Sequence, residues 1–247
     1  RDTTFKNSDA LPAGTQECVF WGIGGDGTVS ANRNAATILC EHRDDMAVRA
    51  AFHYDAHKTG GVTLSHLQFQ KKTPAQRAHG DEVVMFHGGV GRGEADLVAC
   101  HVPQYLGRYD VLAYLKPGGT VLLNVPCVTN SKNGNTKDTL DALEKQLPPA
   151  FRARLARLGA RLFVIDGTGL AQKAGLGTHT STVLGAAFLK IVDCVGTPEQ
   201  CAAWLKALAA KRYGQGSAGA DAALLEKNAA AVDMGFAHVA EVHYPRD

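Results

Sequence analysis

The sequence predicts an α/β protein, a three-layer α/β/α sandwich with a largely parallel sheet and a helical C-terminal part. Short apolar runs with strand character alternate with helical segments over residues 18–166, a pattern typical of parallel sheets covered by helices. Residues 18–40 lead from a strand through a glycine-rich turn into a helix. Toward the C-terminus, after the last predicted strand, the apolar pattern is mostly helical.

The composition excludes several classes of function. The 247 residues are 45% hydrophobic and 20% charged, with a formal net charge of +2 at pH 7, so we expect one full core and no strong polyanion field. There is no basic stripe for nucleic acid and no apolar run of about 18 residues for a membrane span. No CxxC pair occurs among the six cysteines, so a cysteine-ligated zinc or iron–sulfur site lacks its usual spacing.

The first half of the chain carries most of the predicted strands. A helix follows the glycine turn and ends near residue 40, and residues 71–80 form a polar loop. Alternating apolar residues indicate a half-buried strand at 61–69. The predicted strands of this half lie at residues 18–22, 48–54, 61–69, 83–86 and 97–100.

The second half changes from mixed to helical. A helix at 105–115 should stop at a Lys-Pro-Gly-Gly turn, and Pro148-Pro149 should break the helical pattern of 140–158. Thr197-Pro198 with Gln200 is a helix-start signal. Buried strands are predicted at residues 121–125 and 162–166, and later helices at 180–194, 198–213 and 221–233.

The glycine turn carries the strongest chemical signal. Residues 22–27, GIGGDG, match GxGxxG between a strand and a helix, the geometry that directs backbone N–H groups and a helix dipole at an anion. Asp55 ends the next strand, where a ribose-binding acid would stand in a dinucleotide site. Against that reading, Asp26 places a negative charge in the supposed pyrophosphate cradle, and a second half of a dinucleotide fold is not evident.

Two other phosphate ligands can be compared at this turn. Gly25-Asp26-Gly27 resembles the start of a thiamine-diphosphate motif, but no asparagine occurs between Asn34 and Asn124 to complete it. Asn32 and Arg33 follow the glycines on the helix, and Lys58 follows the second strand. Backbone donors with Lys and Arg would suit a ligand with several phosphates, such as the 3′-phospho-ADP of coenzyme A. The alternative is that both cations are ordinary solvated charges.

Five segments carry a more specific signal than the glycine turn alone. In chain order they are WGIGGDGTVSANRN, FHYDAHKTGGVTLSHLQF, LVACHVPQYLGRYDVLAYLKPGGTVLLN, LFVIDGTGLAQKAGLG and LLEKNAAAVD. In this order they resemble the central domain of pyruvate:ferredoxin and pyruvate:NADP oxidoreductases, which is the gamma chain of other 2-oxoacid oxidoreductases. The similarity covers almost everything from residue 18 to 233.

The resemblance implies a coenzyme A site rather than a catalytic centre in this chain. Two departures from the family pattern concern individual contacts: His57 replaces the first of two lysines, and Ser181 replaces an asparagine. No catalytic or metal-binding residue is expected. With Asn32 and Arg33 added from the residues alone, the predicted cofactor-binding residues are Gly24, Gly25, Asp26, Gly27, Thr28, Asn32, Arg33, Lys58, Ser181 and Asn228.

The resemblance also implies partners. The reaction would be oxidative decarboxylation of pyruvate, with the CoA thiol taking the acetyl group. Thiamine diphosphate, magnesium and iron–sulfur clusters would lie in other domains or subunits of a homodimeric enzyme, with ferredoxin or a fused flavoprotein as electron acceptor. The compartment would be cytoplasmic or, in a protist, mitochondrial.

The domain boundaries follow from the same reading. Because the chain starts at Arg1 rather than Met, we expect a processed chain or a piece of a longer polypeptide. Residues 1–17 would be an arm or linker, 18–235 the central domain, and 236–247 a linker to a following domain. The alternatives are a free-standing Rossmann-type dinucleotide-binding domain and a structural linking domain.

Overall fold

A seven-stranded mixed sheet organises the chain in the computed structural model, which describes residues 14–56, 60–74, 77, 89–126, 136–213 and 222–245. The strands are β1 (Gln16–Ile23), β2 (Met46–Tyr54), β3 (Val62–Lys71), β4 (Ala95–Cys100), β5 (Leu115–Asn124), β6 (Arg161–Ile165) and β7 (Ala240–Val242). The α-helices within the described ranges include α1 (Thr28–His42), α2 (Thr136–Gln146), α3 (Pro149–Arg157), α4 (Gly167–Lys173), α5 (Ser181–Ile191), α6 (Pro198–Tyr213) and α7 (Ala222–His238).

The sheet is parallel at its centre and antiparallel at its edges. Its order is β2-β3-β1-β4-β5-β6-β7. Strands β1, β4, β5 and β6 run parallel to one another, whereas β3 is antiparallel to both β1 and β2, and β7 is antiparallel to β6. The carboxyl ends of four central strands therefore meet at one edge, where open α/β sheets bind ligands.

Two hydrophobic layers cover the sheet, which confirms the predicted three-layer sandwich. On one face α1, α4, α5, α6 and α7 pack over a core that includes Phe20 and Phe188, whose rings meet edge to face at 5.0 Å. On the other face α2, α3 and two short 3-10 helices pack over a core that includes Val98 and Leu123 of the sheet and Phe151 of α3. Since β4 and β5 carry apolar side chains on both faces, they form the buried centre of the fold.

The predicted helix at 105–115 is wrong. Two 3-10 helices, Pro103–Gly107 and Val111–Tyr114, take its place, with Asp110 at the start of the second. The turn predicted at 116–119 lies inside β5 as an irregularity: Ala95 pairs with Leu115, but Leu97 pairs with Thr120. Gly118 has φ +74°, which lets the extra residues bulge out of the ladder.

Some of the remaining predicted element boundaries are confirmed, and others are not. The breaks at Pro148-Pro149 and before Pro198 are confirmed, and α4 was missed because it is only 7 residues long. The strand predicted at 83–86 lies outside the described residues. β7 pairs with β6 at residues 240–242, so the sheet extends into the segment predicted as a linker.

Within the described ranges, no helix is long and apolar enough to cross a membrane.

Candidate anion-binding site

A cavity of about 410 Å³ opens at the carboxyl end of β1. Its lining comes from the glycine turn, the first turn of α1, the facing ends of β2 and β3, the start of α5 and the end of α6. The lining residues are Ile23, Gly24, Gly25, Asp26, Gly27, Val29, Ser30, Tyr54, Thr63, His179, Ser181 and Arg212. Two other cavities, of about 530 and 370 Å³, lie at the opposite edge and contain no predicted site residue.

The glycine turn is fixed by backbone bonds and by two left-handed residues. Gly25 and Gly27 have φ values of +101° and +94°, a region that side chains disfavour. The N–H of Gly24 donates to the carbonyl of Gly61 at 2.8 Å, and that of Gly60 donates back to Gly24 at 3.1 Å. The loop before β3 therefore braces the turn from one side.

Asp26 is turned into the protein rather than left as a free charge in the cradle. Its carboxylate accepts the backbone N–H of Ile23 at 2.8 Å and of Thr28 at 2.7 Å, and the Thr28 hydroxyl at 2.8 Å. Three donors and the start of α1 thus offset its charge. The objection that Asp26 raises against a phosphate ligand is correspondingly weaker.

The N-termini of two helices adjoin at the cavity. Gly27 precedes α1 and Thr180 precedes α5, and neither caps its helix with a side-chain hydrogen bond. Instead, the Thr180 hydroxyl donates to the carbonyl of Asp26 at 2.9 Å, which joins the two starts. Helix N-termini leave backbone N–H groups without intrahelical partners and carry partial positive charge. The arrangement can therefore bind an anion.

Further polar groups line the same cavity. Arg212, in the last turn of α6, brings a guanidinium, and His179 and Ser30 add donors. Thr63 is only 1% exposed, and its Oγ1 has no hydrogen-bond partner among the described residues. Tyr54 is 44% exposed and offers a ring face. The site thus combines a cation, an unpartnered buried hydroxyl and an aromatic surface.

Half of the predicted cofactor-binding residues lie together here. Gly24, Gly25, Asp26, Gly27 and Ser181 all line the cavity. They are brought together by two segments that are far apart in the sequence, the turn after β1 and the start of α5.

The other predicted residues lie elsewhere. Thr28 and Asn32 are fully buried on α1, and Arg33 is exposed with its guanidinium 5.5 Å from the Phe52 ring centroid. Asn228 is buried in α7, where it accepts the Thr182 hydroxyl at 2.9 Å and donates to the Leu224 carbonyl. Lys58 lies outside the described residues.

Sequence reasoning missed several lining residues. Tyr54, Thr63 and Arg212 come from strand and helix ends that carry no motif, and only the fold brings them to the turn. A signal existed for Tyr54, because it ends the strand that precedes Asp55, at the predicted ligand edge of the sheet.

A buried polar network lies beneath the turn. His101, directly after β4, is 4% exposed, and its Nδ1 is 2.9 Å from the Thr28 Oγ1. Its carbonyl accepts the Asn124 amide at 3.0 Å, and the Asn124 Oδ1 accepts the N–H of Gly167 at 2.9 Å. Burial lowers the pKa of His101 to about 4, so the ring is neutral near pH 7.

Cys100, which directly precedes His101, is not a reactive thiol, and the described residues contain no metal cluster. Burial raises the pKa of Cys100 to about 12, and its thiol donates to the Val102 carbonyl at 3.2 Å. A thiol of this kind is a poor nucleophile. In the part of the chain that the structure describes, no three His, Cys, Asp or Glu side chains are grouped to hold a metal ion.

Comparison with known proteins identifies the family. The sequence profile described as Pyruvate ferredoxin/flavodoxin oxidoreductase matches residues 17–238. The pyruvate:ferredoxin oxidoreductase of Moorella thermoacetica is 35% identical over 237 residues, which are 96% of this chain and 18% of that protein. The chain thus spans less than a fifth of the length of the curated relatives it matches.

Solved structures share the fold. The pyruvate oxidoreductase subunit PORC of Thermotoga maritima has a TM-score of 0.64 and 16% identity, over 93% of this chain and 99% of that one. The 2-oxoglutarate:ferredoxin oxidoreductase of Magnetococcus marinus, solved with 2-oxoglutarate, coenzyme A and succinyl-CoA bound, has a TM-score of 0.58 and 15% identity, over 91% of this chain and 31% of that one. On the profile match and the Moorella relative, the chain belongs to the pyruvate ferredoxin/flavodoxin oxidoreductase family.

Proposed function

We propose that this chain is the coenzyme A-binding domain of a thiamine-diphosphate-dependent pyruvate oxidoreductase. The whole enzyme would convert pyruvate and CoA to acetyl-CoA and CO₂ and pass electrons to ferredoxin or NADP. The observation that carries the proposal is the meeting of two helix N-termini, those of α1 and α5, at a cavity that Arg212 also lines, with only the first N–H of α1, that of Thr28, taken by Asp26. Few ligands need so many hydrogen-bond donors to negatively charged oxygens in one place.

The residues present fit the phosphorylated end of CoA. Its diphosphate and 3′-phosphate match the Arg212 guanidinium and the N–H groups of the two helix starts, other than that of Thr28, which donates to Asp26. The hydroxyl of Ser30, which lines the cavity, can donate to a phosphate or sugar oxygen. The volume of about 410 Å³ lies within the range of about 300–1,000 Å³ for small-molecule sites.

In this proposal the domain binds and positions the cofactor and moves no proton. Gly24, Gly25 and Gly27 let the backbone approach the phosphates, and Ser181 contributes from the facing helix. Asp26 and Thr28 support the turn from within, Asn32 is buried on α1, and Asn228 holds α5 to α7 through Thr182. Arg33 and Lys58 remain predicted phosphate contacts. When bound, CoA supplies the thiol that takes up the acetyl group.

The rest of the reaction belongs to other parts of the enzyme. Thiamine diphosphate, magnesium and iron–sulfur clusters would lie in other domains or subunits, in a homodimer located in the cytoplasm or, in a protist, the mitochondrion. The presence of coenzyme A in the Magnetococcus marinus oxidoreductase, which shares this fold, supports the assignment of CoA to an enzyme of this kind.

Calorimetric titration of the 247-residue chain with four ligands tests the proposal. CoA should bind, 3′-dephospho-CoA should bind about tenfold more weakly because one phosphate contact is lost, and pantetheine should not bind measurably. NADPH is the competing ligand. Tight binding of NADPH without binding of CoA would favour a dinucleotide-binding domain instead, and no binding of any of the four would favour a structural linking domain.

A further inference from the structure

The buried imidazole of His101 lies directly beneath the glycine turn. Its Nδ1 is 2.9 Å from the Thr28 hydroxyl oxygen, and that oxygen is 2.8 Å from Oδ2 of Asp26. The Nε2 has no hydrogen-bond partner among the described residues, and the ring meets Phe20 edge to face at 6.1 Å. His101 therefore makes its only described polar side-chain contact with Thr28.

The protons of this contact can be assigned by counting donors. Oδ2 of Asp26 already accepts the N–H of Ile23, and Oδ1 accepts the N–H of Thr28, so this carboxylate acts as an acceptor. The single hydroxyl proton of Thr28 must then point to Asp26, because two bare oxygens at 2.8 Å would repel. Thr28 consequently accepts from His101, which requires the neutral ring to carry its proton on Nδ1.

The surroundings hold this arrangement in place. A Cβ on Gly22 would lie 2.1 Å from the Thr28 Oγ1, so the hydroxyl is packed tightly against the end of β1. The backbone of His101 is fixed on both sides: its N–H donates to Trp21, and its carbonyl accepts from Asn124. A rigid imidazole, set by β1, β4 and β5, thus orients the hydroxyl that orients Asp26.

We propose that His101, as its Nδ1–H tautomer, is a positioning residue for the glycine turn and fixes the backbone donors that bind the anionic ligand. It acts through Thr28 and Asp26 and does not touch the ligand. This inference rests on the proposed function only for its effect on CoA affinity. Its structural part, the tautomer and the ordering of the turn, stands without it.

The first measurement is the tautomer itself. Long-range ¹H–¹⁵N correlation spectra of the 247-residue chain near pH 7 should show a protonated Nδ1 and a pyridine-like Nε2 for the ring that disappears in His101→Asn. The Nδ1–H tautomer is the less common form of a neutral histidine, so it would not be expected here without the contact to Thr28. A protonated Nε2 on this ring would overturn the proposal.

The second measurement uses two variants of opposite design. The Asn amide nitrogen can replace Nδ1, whereas the Gln amide nitrogen reaches toward the position of Nε2. His101→Asn should therefore keep the amide exchange rates of Ile23 and Thr28 near wild type, and His101→Gln should raise them about tenfold or more. If His101→Gln fails to fold, Thr28→Ser and Thr28→Val provide a second pair. Thr28→Ser keeps the hydroxyl and should keep these exchange rates near wild type, whereas Thr28→Val removes it and should raise them.

CoA affinity provides the readout at the ligand. We expect His101→Gln to lose about tenfold in affinity and His101→Asn to stay within about threefold of wild type. Equal losses in the two variants would overturn the positioning role. If wild type does not bind CoA at all, the proposed function fails, and the tautomer and exchange rates still decide the role of His101.

Discussion

A Cβ atom placed on Gly27 would lie 3.0 Å from the Cβ of Ser181, so the residue that precedes α1 is in direct contact with the first residue of α5. These residues are 154 positions apart in the sequence, yet the Thr180 hydroxyl also donates to the Asp26 carbonyl at this junction. The contact aligns the positive ends of two helix dipoles on one cavity. It also leaves no space for a side chain at residue 27.

The junction predicts different outcomes for alanine at two neighbouring glycines. Gly25 and Gly27 both have left-handed φ values, so each Gly→Ala change should cost about 1–2 kcal/mol of conformational strain. Only Gly27→Ala also meets Ser181, whereas nothing lies within 4 Å of a Cβ on Gly25. Calorimetry should therefore show a larger loss of CoA affinity for Gly27→Ala than for Gly25→Ala.

Gly118 provides the matched control for the strain alone. It has φ +74°, has open space around its Cβ position, and lies at the start of β5, away from the cavity. Gly118→Ala should lower the free energy of unfolding but leave CoA affinity at wild type. A Gly27→Ala variant that binds CoA as tightly as Gly25→Ala would contradict the close junction of the two helices.

A carboxylate at Ser181 should affect stability and binding in opposite directions. Ser181 is the first residue of α5, and no side chain caps this helix. Ser181→Asp should raise the free energy of unfolding by about 0.3–1 kcal/mol through the helix dipole. The same negative charge should weaken CoA binding by tenfold or more. Thermal unfolding and calorimetry on one sample measure both effects, and neutral Ser181→Asn is the control.

Local sequence patterns predicted the parts of the site that are contiguous. The strand, turn and helix around Gly24–Gly27 needed only the glycine spacing and the apolar runs on either side. Ser181 came from the family resemblance, since no local signal links it to the turn. Arg212 and Thr63 could not be predicted, because only the packing of α6 and the antiparallel pairing of β3 bring them to the cavity.

The errors in the fold have local causes. The apolar residues of 105–115 suggested one helix, but bonds such as that from the Arg108 N–H to the Tyr105 carbonyl span three residues, as in a 3-10 helix. The Gly118-Gly119 pair indicated a turn between elements. In the structure the positive φ of Gly118 belongs to the irregular start of strand β5. At Gly118-Gly119, the pairing of β5 with β4 determines a conformation that the local sequence leaves open.

Alanine substitutions of two adjacent cations in the last turn of α6 should differ in their effect on CoA affinity. Arg212 lines the cavity, whereas Lys211 pairs with Glu41 at 3.0 Å. Arg212→Ala should weaken CoA binding by about tenfold, because a charge-assisted contact to phosphate is lost. Lys211→Ala removes a surface ion pair worth at most about 1 kcal/mol of stability and should leave the affinity unchanged. Equal losses in both would indicate a general effect of charge instead of a contact.

The two buried histidines predict a stability that falls on acidification. Burial lowers the pKa of His66 and of His101 to about 4, from an ordinary value of 6.5, and the Nδ1 of His66 accepts the N–H of Val90 at 2.8 Å. Below pH 6.5 the unfolded chain binds protons that the folded chain does not. Stability is therefore complete above about pH 7 and is lost as pH falls toward 4.

Each histidine should contribute about 2 kcal/mol to the difference in the free energy of unfolding between pH 7.5 and pH 5. Asp45 does not disturb this window, because the hydrogen bond from Arg43 lowers its pKa further below the ordinary 3.8. Burial raises the pKa of Glu17 above its ordinary 4.5. The folded chain therefore takes up this proton more readily than the unfolded chain, and near that pH Glu17 makes the protein more stable as the pH falls. Urea unfolding at the two pH values measures the difference. His101→Asn keeps a donor to Thr28 but cannot titrate, so it should remove about half of the loss, and an unchanged loss would show that His101 is not one of the groups responsible.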